Sequence, residues 1–192
     1  MPEPAETAVE AKETDRKVAL IIAILALLLA LSEAGGKRAQ HLSTEKNIEA
    51  ADLFNFYQAK RIRSSVAETA AQSLEAQKSA LSDPKAQEAF EKQIASFREV
   101  VARFEKDPKK PEDSLEAIQE RANAAGEERE LANRKLENFE LGSGALQIAI
   151  VLASAAIITG ARPLMWMSVA LGAIGALLAI FGYVAPIVLP IG

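Results

Sequence analysis

Hydrophobic side chains in this chain fall into two blocks and leave a long charged stretch between them. The first, Val18 to Leu31, is fourteen residues without a polar side chain. It makes about 21 Å of helix against a hydrocarbon core of roughly 30 Å. It spans only if the helix continues to about Gly36, with Arg16 and Lys17 snorkelling at one end. In the second block, Ser143 to Ala161 holds Gln147 as its only strongly polar side chain. Arg162-Pro163 then breaks the run, and Leu164 to Leu189 follows without a charge. Each piece is long enough to cross, and Pro163 cannot continue the hydrogen-bond ladder of the preceding turn. The pattern predicts transmembrane helices over 17–36, 142–161 and 164–187, the last two antiparallel, after a disordered acidic tail over 1–16.

A cleaved signal peptide is the competing reading of the first block, because Ser32-Glu33-Ala34 offers small residues ahead of Gly35. The acidic leader (Glu3, Glu6, Glu10, Glu13 and Asp15) favours a retained anchor, since a signal's leading region is basic.

Residues 37–141 read as an extramembrane helical hairpin. Between Lys37 and Glu140 there are 18 lysines and arginines, 20 aspartates and glutamates, and one glycine, Gly126. Good helix formers dominate, so Pro84, Pro108 and Pro111 act as punctuation and predict helices over 40–81, 85–106 and 112–141. Asp83 can cap the second of these, with Pro84 at the first helical position. The third carries the clearest seam: Leu115, Ile118, Ala122, Ala125, Arg129, Ala132, Leu136 and Phe139 keep a 3-4 spacing with one charged breach, Arg129. The second shows Phe90, Ile94, Phe97, Val101 and Phe104 on one stripe. The first offers Ile62, Val66, Ala70, Leu74 and Leu81, although around Leu53 to Tyr57 the apolar residues surround the helix. About 63 Å of helix outward against about 78 Å back closes as a hairpin if the return leg overlaps itself. The fold expected is therefore all-α: three transmembrane helices with a long antiparallel, coiled-coil-like hairpin between the first and second.

Small residues lie at helical spacing in the last span, as Ser168, Gly172 and Ala176 beside Gly175, Ala179 and Gly182, and in the preceding span as Ala145, Ala149 and Ala153. In lipid such faces let helices approach closely. Packing of the two spans on each other is one use, and a subunit interface is the other.

Composition then narrows the function. There are no cysteines and a single histidine, His41, so thiolate chemistry and sulfur or imidazole metal clusters within one chain are excluded. The nearly balanced charge gives no field to gather nucleic acid. No carboxylate sits in mid-span, against an ion-coupled transporter, and no phosphate-binding loop, dinucleotide fingerprint or nucleophile motif is present. Phe54, Phe56 and Tyr57 with Lys60, Arg61 and Arg63 form either a headgroup or base-stacking patch or a packed aromatic cluster with its basic residues outward.

Three features together resemble a known pattern. They are the short N-terminal anchor, the element Tyr57-Gln58-Ala59-Lys60 in an aromatic-rich stretch, and the closing pair of spans with Leu146-Gln147-Ile148-Ala149, Trp166 and Val169-Ala170-Leu171-Gly172-Ala173. The chain resembles, over nearly its whole length, the bacterial family known as domain of unknown function 4337. The resemblance implies architecture and no activity. Of the more basic and aromatic final turn it implies, only Arg162 and Trp166 remain here.

The expected function is that of a membrane-anchored helical scaffold or interaction protein, self-associating and without catalysis or cofactor. The alternative is an oligomeric channel whose vestibule is the hairpin, with Gln147, Ser154 and Thr159 as a thin polar stripe. Expected partners are the bilayer and a second copy or another membrane protein, with no nucleic acid and no small-molecule substrate. Lys12, Arg16, Lys17 and Arg162 fall on one side of a three-span topology, which places the protein in the bacterial inner membrane with its hairpin periplasmic; Lys37 and Arg38 pull the other way. The residues expected to mediate contacts are Leu115, Ile118, Arg129, Leu136 and Phe139 of the seam, Ser168, Gly172, Gly175, Ala176 and Ala179 of the last span, and the aromatic pair Phe54 and Tyr57.

Overall fold

Prolines and one glycine set the helix boundaries. The computed structural model describes residues 4–106 and 109–186, with side chains from Arg16 onward. Its regular structure is helical: α1 Pro4–Ser79, α2 Pro84–Glu105, a short 3-10 turn Pro111–Asp113, α3 Leu115–Thr159 and α4 Arg162–Val184. α1, α3 and α4 are each long and apolar enough to cross a membrane by length and composition, and α1 packs on α3.

Asp83 accepts a hydrogen bond from the Lys85 amide at 3.1 Å, with Pro84 in the first turn of α2; the cap read from the sequence is in place. Ser114 plays the same part for α3, accepting from the Ala117 amide at 3.2 Å. That cap starts the helix at Leu115, where the 3-4 spacing begins and three residues later than Pro111 suggests. Asp107-Pro108, part of the expected break, and residue 187, the expected end of the third span, lie outside the described residues. α3 ends at Gly160, whose φ of 65° is the left-handed conformation that glycine adopts without a Cβ penalty. Its amide donates to the Ala156 carbonyl at 2.9 Å, so Pro163 starts α4 after Gly160 has already closed α3.

Two boundaries read from composition are not boundaries of the backbone. α1 passes through Gly35-Gly36 and α3 through Gly142 to Gly144 without interruption. α1 also starts at Pro4, where the sequence suggests a disordered tail as far as residue 16; no proline or glycine between Ala5 and Lys17 stops a helix there.

The chain divides into two compact units, Met1–Thr44 with Arg129–Gly192, and Glu45–Glu128. In the second unit the core is Leu53, Ile118 and Ala122, with Tyr57 against them. Ala67, Ala71 and Ile94 are also buried. Ion pairs Lys78–Glu91 and Arg98–Glu75 join α1 to α2, and the Lys78 ammonium draws the Glu91 carboxyl below its ordinary pKa. Lys46 lies 2.9 Å from both Glu128 and Glu49, and hydrogen bonds to these carboxylates raise its pKa.

One expectation is corrected in this unit. Ile62 and Val66, read as part of the inward stripe of the first helix, are 63 % and 64 % exposed. α1 instead buries Ala50, Ser64, Ala67 and Ala71, because small side chains let it approach its neighbours more closely than branched ones would.

Candidate functional site

In the first unit α1, α3 and α4 meet at a closely packed junction. Phe139 of α3 is its centre, 3 % exposed. The ring meets Tyr183 of α4 edge-on, with centroids 4.7 Å apart and planes at 75°, a favourable quadrupole arrangement. The Tyr183 hydroxyl donates to the Leu31 carbonyl of α1 at 2.9 Å. Ser32, fully buried, donates to the Phe139 carbonyl at 3.1 Å and accepts from Ser143 at 2.9 Å. Two serines and a tyrosine thus tie three helices at one level, and for the buried Ser32 a hydroxyl without a partner would be costly.

Glycine makes this approach possible. A Cβ on Gly35 would lie 2.6 Å from Phe139 Cε1 and Cζ, and one on Gly182 would lie 2.9 Å from the same atoms. One turn further along α3, a Cβ on Gly175 would lie 2.8 Å from the Gly142 carbonyl oxygen, and one on Gly142 would lie 2.9 Å from that of Gly175. Here α3 and α4 touch backbone to backbone. Deeper still, Gly172 receives Leu25 of α1, and Ser168 donates to the Ala149 carbonyl at 2.7 Å.

The small-residue face of α4 therefore packs within the chain. Ser168, Gly172, Gly175 and Ala179 are buried against α1 and α3, while Ala176 is half-buried beside an apolar groove of about 280 Å³ between α1 and α4. Leu115 and Ile118 are buried in the second unit, Phe139 is buried in the first, and Leu136 packs at the edge of Phe139's cluster. Arg129 is half-buried and engaged in a polar or electrostatic interaction. Tyr57 joins the core of the second unit, whereas Phe54 is 48 % exposed. Phe56 is also exposed, with the Lys60 ammonium 5.2 Å from its ring centre, and Lys60 donates to the Asp113 carbonyl. The aromatic residues thus split between core and surface and do not make one cluster.

Sequence reasoning passed over Ser32, Ser143 and Tyr183 as junction residues. The signal available was the run of small residues at Gly142-Ser143-Gly144, opposite Gly175 and Ala179.

The family described as Domain of unknown function (DUF4337) matches residues 14–185. The chain belongs to that family. No curated protein and no solved structure matches it. The matched span of this DUF4337 chain takes in the whole junction, from Leu25 through Phe139 to Tyr183. Among the described residues no group of three or more His, Cys, Asp or Glu side chains is placed to hold a metal. Within the first unit the junction holds three apolar helices, α1, α3 and α4, to one another.

Proposed function

We propose that this protein is a membrane-anchored helical scaffold: α1, α3 and α4 cross the bacterial inner membrane, and the charged second unit is held in water, on the periplasmic side, as an interaction surface. The observation that carries this reading is the division of labour along single helices. α1 and α3 each contain a stretch apolar enough to cross and a stretch dense in charge, with no break between them. Lipid-facing residues are large and apolar, among them Leu20, Ile24, Leu27, Val151, Ile158 and Leu177, all at least half exposed; in water a monomer would not leave so continuous an apolar surface uncovered.

A channel is the weaker reading. Ser154 and Thr159 donate to carbonyls of their own helix, Ile150 at 2.9 Å and Ala155 at 2.8 Å. Of the thin polar stripe, Gln147 alone is left to face a lumen. Mass measurement of the full chain, extracted in mild detergent after an alkaline carbonate wash, tests the reading. The expected result is retention in the washed membrane and a small, fixed number of copies. Release by carbonate, or a ring of many copies, would overturn it.

A further inference from the structure

The outward face of α1 in the second unit has a pattern that none of the described residues covers. Ten charged residues lie on α1 between Glu45 and Ser79, yet none occupies the face marked by Ile48, Ala51, Asn55, Gln58, Ile62 and Val66. All six are exposed, with Ile48 at 57 %, Ile62 at 63 % and Val66 at 64 %. A solvated helix face has no reason to exclude charge over five turns while keeping three branched apolar residues. The spacing alternates threes and fours from Ile48 to Ile62; Val66 follows after a second four, on the flank of that seam, and Thr69 and Ser73 keep this side of the helix uncharged. This is the repeat of a coiled-coil seam, on the side of α1 opposite its buried residues Ala50, Leu53, Ser64, Ala67 and Ala71.

The residue types specify the occupant. Ile48, Asn55 and Ile62 are seven apart, so all three fall at the same heptad position. Branched isoleucine is what parallel two-stranded coils carry at this position, where a single asparagine fixes register by pairing with its own copy; the alternate positions here are Ala51 and Gln58, small or polar rather than leucine. The flanks agree: with two copies parallel and in register, Phe54 meets Ala59 of the second copy and Arg61 meets Val66, so no like charges oppose. Parallel is also the only sense open to two copies inserted in one membrane by the same α1. We propose that a second copy of this chain docks on this face, forming a parallel two-fold seam centred on Asn55. The proposal rests on the scaffold reading and names the partner that the scaffold holds.

The chain has no native cysteine, so single cysteines report the seam directly. In oxidised membranes carrying the full chain, Ile62→Cys is expected to form a covalent dimer at least about tenfold faster than Arg63→Cys, its neighbour turned off the seam. The exposed pair Ile62→Lys with Val66→Lys is expected to reduce the detergent-extracted protein from two copies to one while leaving its helical circular dichroism unchanged. Equal cross-linking at the two positions would overturn the seam. So would covalent products with other proteins, or a lysine variant that stays dimeric. The carbonate wash reads the anchor separately: a chain that stays in the membrane but does not cross-link at Ile62 keeps the scaffold and loses the seam.

Discussion

Gly175→Ala is expected to destabilise the protein by about 2 kcal/mol, the cost typical of forcing atoms into a filled interior. The new Cβ would sit 2.8 Å from the Gly142 carbonyl oxygen and 2.9 Å from Leu146 Cγ. The carbonyl belongs to a helix backbone that cannot rotate away, so α3 and α4 must separate. Separation would strain the Ser168 bond to Ala149 and the fit of Leu25 over Gly172, which lie on the same interface. Gly126→Ala is the matched control. Nothing lies within 4 Å of a Cβ added at Gly126, and alanine is the better helix former by up to about 1 kcal/mol. Thermal unfolding in mild detergent, followed by circular dichroism, should move the two variants in opposite directions. A Gly175→Ala protein stabilised as much as Gly126→Ala would mean that α3 and α4 do not touch there.

The second large effect belongs to Ile118. With Leu146 it is one of the two largest fully buried side chains among the described residues, and Leu53, Ala122 and Tyr57 lie around it. Ile118→Asp removes its packing, worth about 2–5 kcal/mol for truncation alone, and adds a carboxylate that must be neutralised or exposed. Against a typical domain stability of about 5–15 kcal/mol, the second unit should melt or lose cooperativity. Glu120→Gln, on the exposed side of the same helix, should stay within about 0.5 kcal/mol of the parent. Urea unfolding of the full chain in detergent, with protection of α2 amides as readout, separates the two. An Ile118→Asp protein as resistant as Glu120→Gln would contradict the core assigned to this unit.

The seam of α3 was the most legible feature of the sequence, because its buried side is marked by large residues at its ends: Leu115, Ile118 and Phe139. The spacing ranks Leu136 with Ile118, yet Leu136 packs only at the edge of a cluster while Ile118 is enclosed. Periodicity shows that a face is apolar but not how deeply a neighbour covers it. α1 was misread for a related reason. Its inner face is mostly alanine and serine, which carry little hydrophobic signal, and its conspicuous residues, Ile62 and Val66, point outward. The three apolar helices were legible as runs free of charge. The ties among them were not, because a serine or glycine in an apolar run does not disclose which helix it will touch.

The central claim is that three helices cross a bilayer and the charged unit stands outside it. Single cysteines at Ser82, Ile148 and Thr159, labelled with a membrane-impermeant thiol reagent before and after lysis of spheroplasts, test it most directly. Ser82→Cys should be labelled in intact spheroplasts. Thr159→Cys, beside the turn between α3 and α4, should be labelled only after lysis, and Ile148→Cys should resist in both. Labelling of Ser82 and Thr159 from the same side, or rapid labelling of Ile148, would contradict the account.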